Sequence, residues 1–574
     1  FAQVNSYLEE YINEKVRDPQ KREYVEKLLN GTATKADYLK LKGAKKQLKK
    51  DSTPFNNFFQ GGAEPHIVIH PTNENILALS FMNITTSSDF LIYTSKDGGD
   101  TWTKSAFSTG EALYDAFPGT MLMGLGDPIL AFGKDGILHM SFIYAHGDTT
   151  SFRGDMFYVY STDTGRTFVV PPIDDFVVYS GNVFASDMLD RQWMEVDNTG
   201  GPNDGNLYMS AFYFSGPLSA PGQVVLTKHA DSSGFDLNEV TTAVVAQNGN
   251  LTQFGNLKVD ENGRVHVSCA YMNEIDGSGL VYHTVSTDGG KTFSSPTKVG
   301  TGDLLGPTPG MNSNPVIHNR ENAAISLAVD DDNVYLAWTD LGNEESRAFF
   351  SYSNDGGMNF SLPFEFGNAL LDSSIFHFMP NVSADSGLVT ISWYAVDKLS
   401  GSTNYHMAES NNAGASFDVL LEVSDTNSTF VGGSDAFYGD YNSSVKNGCT
   451  TWSVWSDGRN GQPDIYVVKT RLCNSQHSLG VELTPVTEDF QVLSIWPNPA
   501  FNEVNLDISV KNIDQIKAQI FDLQGKLVKE FKSQRILEGK NNFNLNIADL
   551  NAGQYLIKIT SENGMFATRM LIKQ

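Results

Sequence analysis

From about residue 60 onward, apolar and polar positions alternate with a period of two, in short runs separated by Gly, Asn, Asp and Ser. That is the pattern of strands joined by turns. The first 50 residues differ. Val4, Tyr7, Leu8, Tyr11 and Ile12 fall at helical spacing, and Tyr24, Val25, Leu28 and Leu29 continue the stripe until Asn30-Gly31 interrupts it. A second, basic helix is expected from about Lys35 to Lys50. Residues 1–50 read as an N-terminal helical segment, either a hairpin packed on the main domain or a propeptide or docking segment.

The strand region repeats. An apolar strand opens as Glu64-Pro65-His66-Ile67-Val68-Ile69 and again as Asp127-Pro128-Ile129-Leu130-Ala131-Phe132. Further copies begin near Arg191, Asn256, Ala324, Pro380 and Asp440, about 60 residues apart. Each interval has room for four short strands, so the seven copies predict a mainly β fold, a seven-bladed β-propeller with six blades as the alternative. The predicted domains are the helical segment 1–50, the propeller 51–473, a polar linker 474–491 and a C-terminal β-sandwich 492–574.

A second unit recurs later in each repeat: Ser95-Lys96-Asp97-Gly98-Gly99-Asp100-Thr101-Trp102, then copies centred on Asp163, Asp288 and Asp355. A worn copy ends at Ala413-Gly414-Ala415-Ser416-Phe417, and another is sought around Asp231 to Phe235. The pattern Ser-x-Asp-x-Gly-x-x-aromatic resembles the Asp box (BNR repeat) of the sialidase superfamily. Its physics is structural. The Gly permits a positive φ, the Asp and Ser side chains satisfy turn N–H groups, and the aromatic ring wedges into the core.

Residues 492–574 carry different landmarks: Trp496-Pro497-Asn498-Pro499, Phe521-Asp522-Leu523-Gln524-Gly525 and Leu550-Asn551-Ala552-Gly553-Gln554-Tyr555. This segment resembles the type A sorting domain of type IX secretion substrates. The resemblance implies passage through the periplasm and an outer-membrane translocon, handover to a shuttle β-barrel, and a secreted or cell-surface destination. Phe1-Ala2-Gln3 looks like the stub of a cleaved export signal. Cys449 and Cys473 flank a turn-like Asp457-Gly458-Arg459-Asn460-Gly461 in the last repeat, so a disulfide is expected between them, while Cys269 reads as a buried thiol.

Charge narrows the partners. The net charge is −27, with +5 in residues 1–50 and +2 in residues 492–574, which leaves −34 between them. Such a surface repels nucleic acid and anionic lipid. No apolar run approaches the ~18 residues of a transmembrane segment. No Walker loop, dinucleotide fingerprint or Cys-x-x-Cys site is present, which argues against nucleotide and zinc chemistry.

Inner strands of a propeller run the same way, so their first residues gather at one mouth of the channel. Those positions hold Glu64, Asp127, Asp190, Arg191, Asn381, Asp440 and Tyr441. The candidate catalytic residues are Glu64, Asp127, Asp190, Asp440 and Tyr441. Arg191 and Arg459 are candidate anion contacts, and Trp193, Tyr438 and Tyr441 candidate sugar-stacking rings, with core packing the alternative for Trp193. Carboxylates around a funnel either serve as acid and base on a glycan or hold Ca²⁺, at Glu64, Asp127 and Asp440, or simply cap turns and pair with Arg191 or Arg459. Sialidases grip a carboxylate with three Arg, the first opening the first inner strand; here that strand opens Gly62-Ala63-Glu64-Pro65, and no Arg stands between residue 51 and Arg153. That departure disfavours a sialidase-like exo-glycosidase. The readings left open are a glycoside hydrolase or polysaccharide lyase acting on extracellular glycan, and a non-catalytic adhesin or protein-binding module.

Overall fold

The computed structural model describes residues 57–471 and 490–573, less the connecting segments 84–88, 118–120, 148–151, 183–186, 215–220, 246–249, 274–277, 304–324, 341–345, 367–374, 398–399, 418, 430–437, 497–499, 511–513, 523–526, 552 and 562–565. The predicted helices of residues 1–50 and Cys473 of the expected disulfide lie outside the described residues. The described residues fall into two compact units, one within residues 50–474 and one within residues 475–574.

In the first unit the described residues form seven antiparallel sheets of four or five strands. Their inner strands, in chain order, are Gly62–His70, Met121–Phe132, Leu189–Val196, Asn250–Val259, Ser326–Asp330, Ile375–Asp385 and Ser443–Asn447. Each inner strand packs against the next, and the seventh packs back on the first. The arrangement is propeller-like. The ring is closed by chain pairing as well: Asn57–Phe59 lies antiparallel to Asp464–Arg471, so the start of the unit supplies the outer strand of its last sheet.

Stacked sheets change the burial pattern that alternation suggests. A strand covered on both faces is buried on both. Leu207–Tyr213 and Thr450–Asp457 are buried at every position, including Ser210, Ser453 and Ser456. The core is therefore a chain of inter-sheet clusters rather than one mass.

Four turns share one hydrogen-bond set. Ser95, Ser161, Ser286 and Ser353 each donate a hydroxyl to the Asp two residues on, at 2.7–2.8 Å, and accept the N–H of the Gly four residues on. The Asp then accepts the amide of the residue four beyond it, as Thr101 donates to Asp97 at 2.8 Å. The Thr101 and Ser95 bonds hold the Asp97 carboxyl down at about 2. Ser410 and Asn412 build the same turn with an amide in place of the carboxylate. The Gly docks on the preceding sheet: a Cβ on Gly357 (φ +84) would stand 2.1 Å from His283 Cε1. These turns are inter-sheet joints, and their Asp side chains are engaged within them. The segment Asp231–Phe235 forms a different turn, in which Ser232 donates to the His229 carbonyl; only its ring, Phe235, packs as expected, edge-on to Tyr158.

Cys269 is a free, buried cysteine whose thiol is pushed up to about 12 by burial. Thr450 pairs with Arg471 at the end of the last sheet, so the chain leaves that edge beside Cys449.

The second unit is a pair of sheets. Phe490–Trp496, Glu503–Val510 and Gly539–Asn546 form one; Leu527–Glu530, Asp514–Asp522, Gly553–Ser561 and Phe566–Lys573 form the other, with Gln534–Ile536 also on Asp514–Asp522. Alternate residues such as Val504, Leu506, Ile508, Ile516, Ile520, Ile557 and Ile559 make its core.

Several buried histidines join strands in the first unit. His66 Nδ1 accepts the Leu130 N–H from the second sheet at 3.1 Å, His139 bonds the Tyr158 hydroxyl at 2.7 Å, and His266 meets His283 at 3.0 Å. Burial holds His66 and His139 down at about 3 and lowers His266 and His283 as well. An unfolded histidine titrates near ~6.5. Between those values the unfolded chain binds more protons than the fold, so this stability is present above about pH 6.5 and is lost as pH falls, by about 1.4 kcal/mol per pH unit per histidine. Thermal melts from pH 8 to pH 4.5 are expected to show a falling midpoint below about pH 6.5. A midpoint independent of pH there would contradict buried neutral histidines.

Candidate functional site at the inner-strand bulges

Five inner strands break register at one level. The shifts lie between Ala63 and His66, Gly126 and Ile129, Asp190 and Trp193, Gln253 and Asn256, and Phe378 and Asn381. A bulge adds a residue to one strand and re-aims the side chain it carries. Four first bulge residues adopt the left-handed region without being Gly: Glu64 (φ 54), Asp127 (φ 54), Arg191 (φ 53) and Met379 (φ 48). Pro65, Pro128 and Pro380 follow three of them, where the missing N–H costs no ladder bond.

Glu64 sits at the centre, 3% exposed. Its Oε2 accepts the Asp127 N–H and its Oε1 the Asp440 N–H, both at 3.3 Å. The carboxyl group thus spans the second, first and seventh sheets. Arg191 Nη2 pairs with Asp440 Oδ2 at 2.8 Å, and Asp190 Oδ1 accepts the Arg191 N–H at 3.0 Å. Gln192 Nε2 donates to the Asp127 carbonyl. Tyr441 stands edge-on to Trp193 at 5.8 Å, and Trp193 edge-on to His66 at 4.8 Å.

The electrostatics follow from crowding. Burial raises the Glu64 carboxyl well above the usual range, and Asp127 and Asp440 raise it further against the opposing Arg191. Burial likewise lifts the Tyr441 phenol, reinforced by Glu64, Asp127 and Asp440. Burial opposes the Arg191 charge, but Asp440, Asp190, Asp127 and Glu64 together hold it on. The centre therefore favours the protonated form of the Glu64 carboxyl, next to other acidic side chains and a single guanidinium. Such a group can donate a proton.

Glu64, Asp127, Asp190, Arg191, Asp440 and Tyr441 come together as the repeats suggest. Other candidates do not. Arg459 is not a free anion contact: it bonds Asp457 at 2.7 Å, reaches Asp425, and lies 4.0 Å over the Tyr466 ring. Trp193 and Tyr438 are buried rather than presented for stacking, and Tyr441 is buried as well. At the position expected for Ca²⁺, Glu64, Asp127 and Asp440, backbone N–H groups bond both Glu64 oxygens and Arg191 pairs with Asp440; among the described residues no three His, Cys, Asp or Glu side chains are grouped for a metal. Sequence reading missed Gly439 (φ +97), where a Cβ would stand 2.6 Å from Glu64 N and Cγ. It also missed the matching bulge at Met379, although the shared Glu-Pro, Asp-Pro and Met-Pro dipeptides mark it.

Residues 494–574 match the secretion system C-terminal sorting domain. The chain is exported, to the cell surface or beyond it. Among the described residues no helix is long and apolar enough to cross a membrane. None of the curated proteins matches the sequence. Among solved structures, a protein of unknown function from Dyadobacter fermentans DSM 18053 aligns over 72% of this chain and 95% of its own, at 13% identity and a TM-score of 0.40. The GH93 α-L-arabinofuranosidase of Fusarium graminearum with arabinobiose aligns over 53% and 96%, at 12% identity and 0.31. The polysaccharide lyase Uly1 aligns over 58% and 74%, at 12% identity and 0.32. All three are distant likenesses.

Gly439→Ala is expected to destabilise the first unit by about 2 kcal/mol or more, from forced positive φ and the clash with Glu64. Denaturant unfolding of wild type and variant checks it; an unchanged midpoint would show that Gly439 does not seat Glu64.

Proposed function

We propose that residues 51–473 form a seven-bladed β-propeller of Asp-box repeats that binds and cleaves an extracellular glycan at the Glu64 mouth. In this reading residues 492–574 are handed to the type IX translocon and its shuttle barrel, residues 474–491 are linker, and Cys449 and Cys473 form a disulfide in the oxidising compartments on the way. The observation that carries the proposal is the buried Glu64 carboxyl beside Asp127, Asp440 and Arg191, where burial favours its protonated form. Glu64 donates its proton to the glycosidic oxygen as the C–O bond breaks, while Asp127 takes a proton from the water that adds to the anomeric carbon. Arg191 orients the sugar while Asp440 holds its guanidinium. A sialidase-type carboxylate clamp is not part of the proposal, because the first inner strand lacks its Arg.

One observation favours a second reading, a non-catalytic binding module. Both Glu64 oxygens already accept backbone N–H groups of neighbouring sheets, which suits a structural pin. The two readings separate on a broad panel of polysaccharides incubated with the full chain. Cleavage is expected, falling as pH rises through the raised Glu64 pKa because the proton donor is then lost. Glu64→Gln and Asp127→Asn are each expected to lower the rate by about 100-fold or more while glycan binding persists. Binding without cleavage across the panel, or turnover that survives both substitutions, would sink the enzyme reading.

A further inference from the structure

Beside the Glu64 cluster the inner strands enclose a small cavity, lined among others by Trp193, Asn256, Ser326, Met379, Asn381 and Tyr441. It has room for about one water molecule. Much of its polar lining is paired within the protein. Ser326 Oγ accepts the Val382 N–H at 2.9 Å, Asn381 Nδ2 donates to the Asn442 carbonyl at 3.3 Å, and Asn442 Nδ2 donates to the Met379 carbonyl at 2.9 Å. Three of the lining residues each carry an atom that differs. Trp193 Nε1, Asn256 Oδ1 and the Tyr441 hydroxyl are buried and have no partner among the described residues.

Their chemistry restricts what can join them. An indole N–H only donates, an amide oxygen only accepts, and a phenol does either. A cation would meet the indole N–H, and an anion would meet Asn256 Oδ1 with Glu64, Asp127 and Asp440 nearby. An apolar occupant would leave all three atoms unsatisfied. A neutral molecule that both donates and accepts, no larger than water, fits all three. Buried waters commonly make about three such bonds.

We infer that this cavity is a binding site for one water molecule, which accepts from Trp193 Nε1, donates to Asn256 Oδ1 and bonds the Tyr441 hydroxyl. The water joins the third and fourth sheets to the segment leading into the seventh. It also fixes the Tyr441 ring, which stands edge-on to Trp193. The inference stands apart from the glycan reading and needs no activity.

The sign of a stability change tests it. Tyr441→Phe removes only a hydroxyl. If the hydroxyl is bonded to water, the melting temperature of the full chain falls, by about 1–2 °C. If the hydroxyl is unpartnered, its removal relieves a buried polar group, and the melting temperature stays or rises, which overturns the inference. A high-resolution crystal structure of the wild-type chain supplies the second arm, independent of how the variant folds. Density for one water at about 2.7–3.1 Å from the three atoms is expected. A cavity without density, or an ion with contacts of about 2.0–2.6 Å, overturns it.

Discussion

One carboxyl group ties three sheets together where the ring closes. Glu64, on the first inner strand, accepts an N–H from Asp127 of the second sheet and another from Asp440 leading into the seventh. Asp127 lies in a bulge where the ladder offers its N–H no partner, and a buried amide without one is costly. The same seam is stitched nearby, where Gly61 N–H donates to Asp464 at 2.7 Å and Gly62 N–H to the Pro463 carbonyl at 3.0 Å. The group that joins first, second and last sheets is also the one whose protonated form burial and its acidic neighbours favour. Structure and chemistry meet in a single side chain.

The bulges explain why this costs strain and persists. Left-handed backbone at a non-Gly residue costs about 1–3 kcal/mol and survives only where its surroundings over-determine it. Here Glu64, Asp127 and Arg191 are locked by mutual bonds, by the Pro after two of them, and by a Gly at 439 that leaves no room for a side chain. Met379 shares the geometry without the charge, and faces the cavity instead. One backbone device thus serves both the acidic cluster and the neighbouring cavity.

Much of this was legible. The strand openings repeat at constant register, so Glu64, Asp127, Arg191 and Asp440 had to gather wherever inner strands run in one direction. The aromatic and Gly positions of the Ser-x-Asp turns were legible for the same reason. What escaped depends on contacts that spacing does not record. Arg459 looked available because Asp425, which captures it, belongs to another sheet. The carboxylates looked like metal ligands because their backbone N–H and Arg191 partners appear only once the bulges form. Leu207–Tyr213 carries Ser210 at a position buried among stacked sheets, which an alternating pattern would have put outside.

The central claim is that Glu64 holds the Asp127 and Asp440 amides of its two neighbouring sheets. Hydrogen exchange read at the Asp127 and Asp440 amides, in wild type and in Glu64→Ala, measures this most directly. The account predicts strong protection of both amides in the wild type and loss of both together in the variant, with the Ser-x-Asp turns still protected. Protection retained at either amide would contradict it.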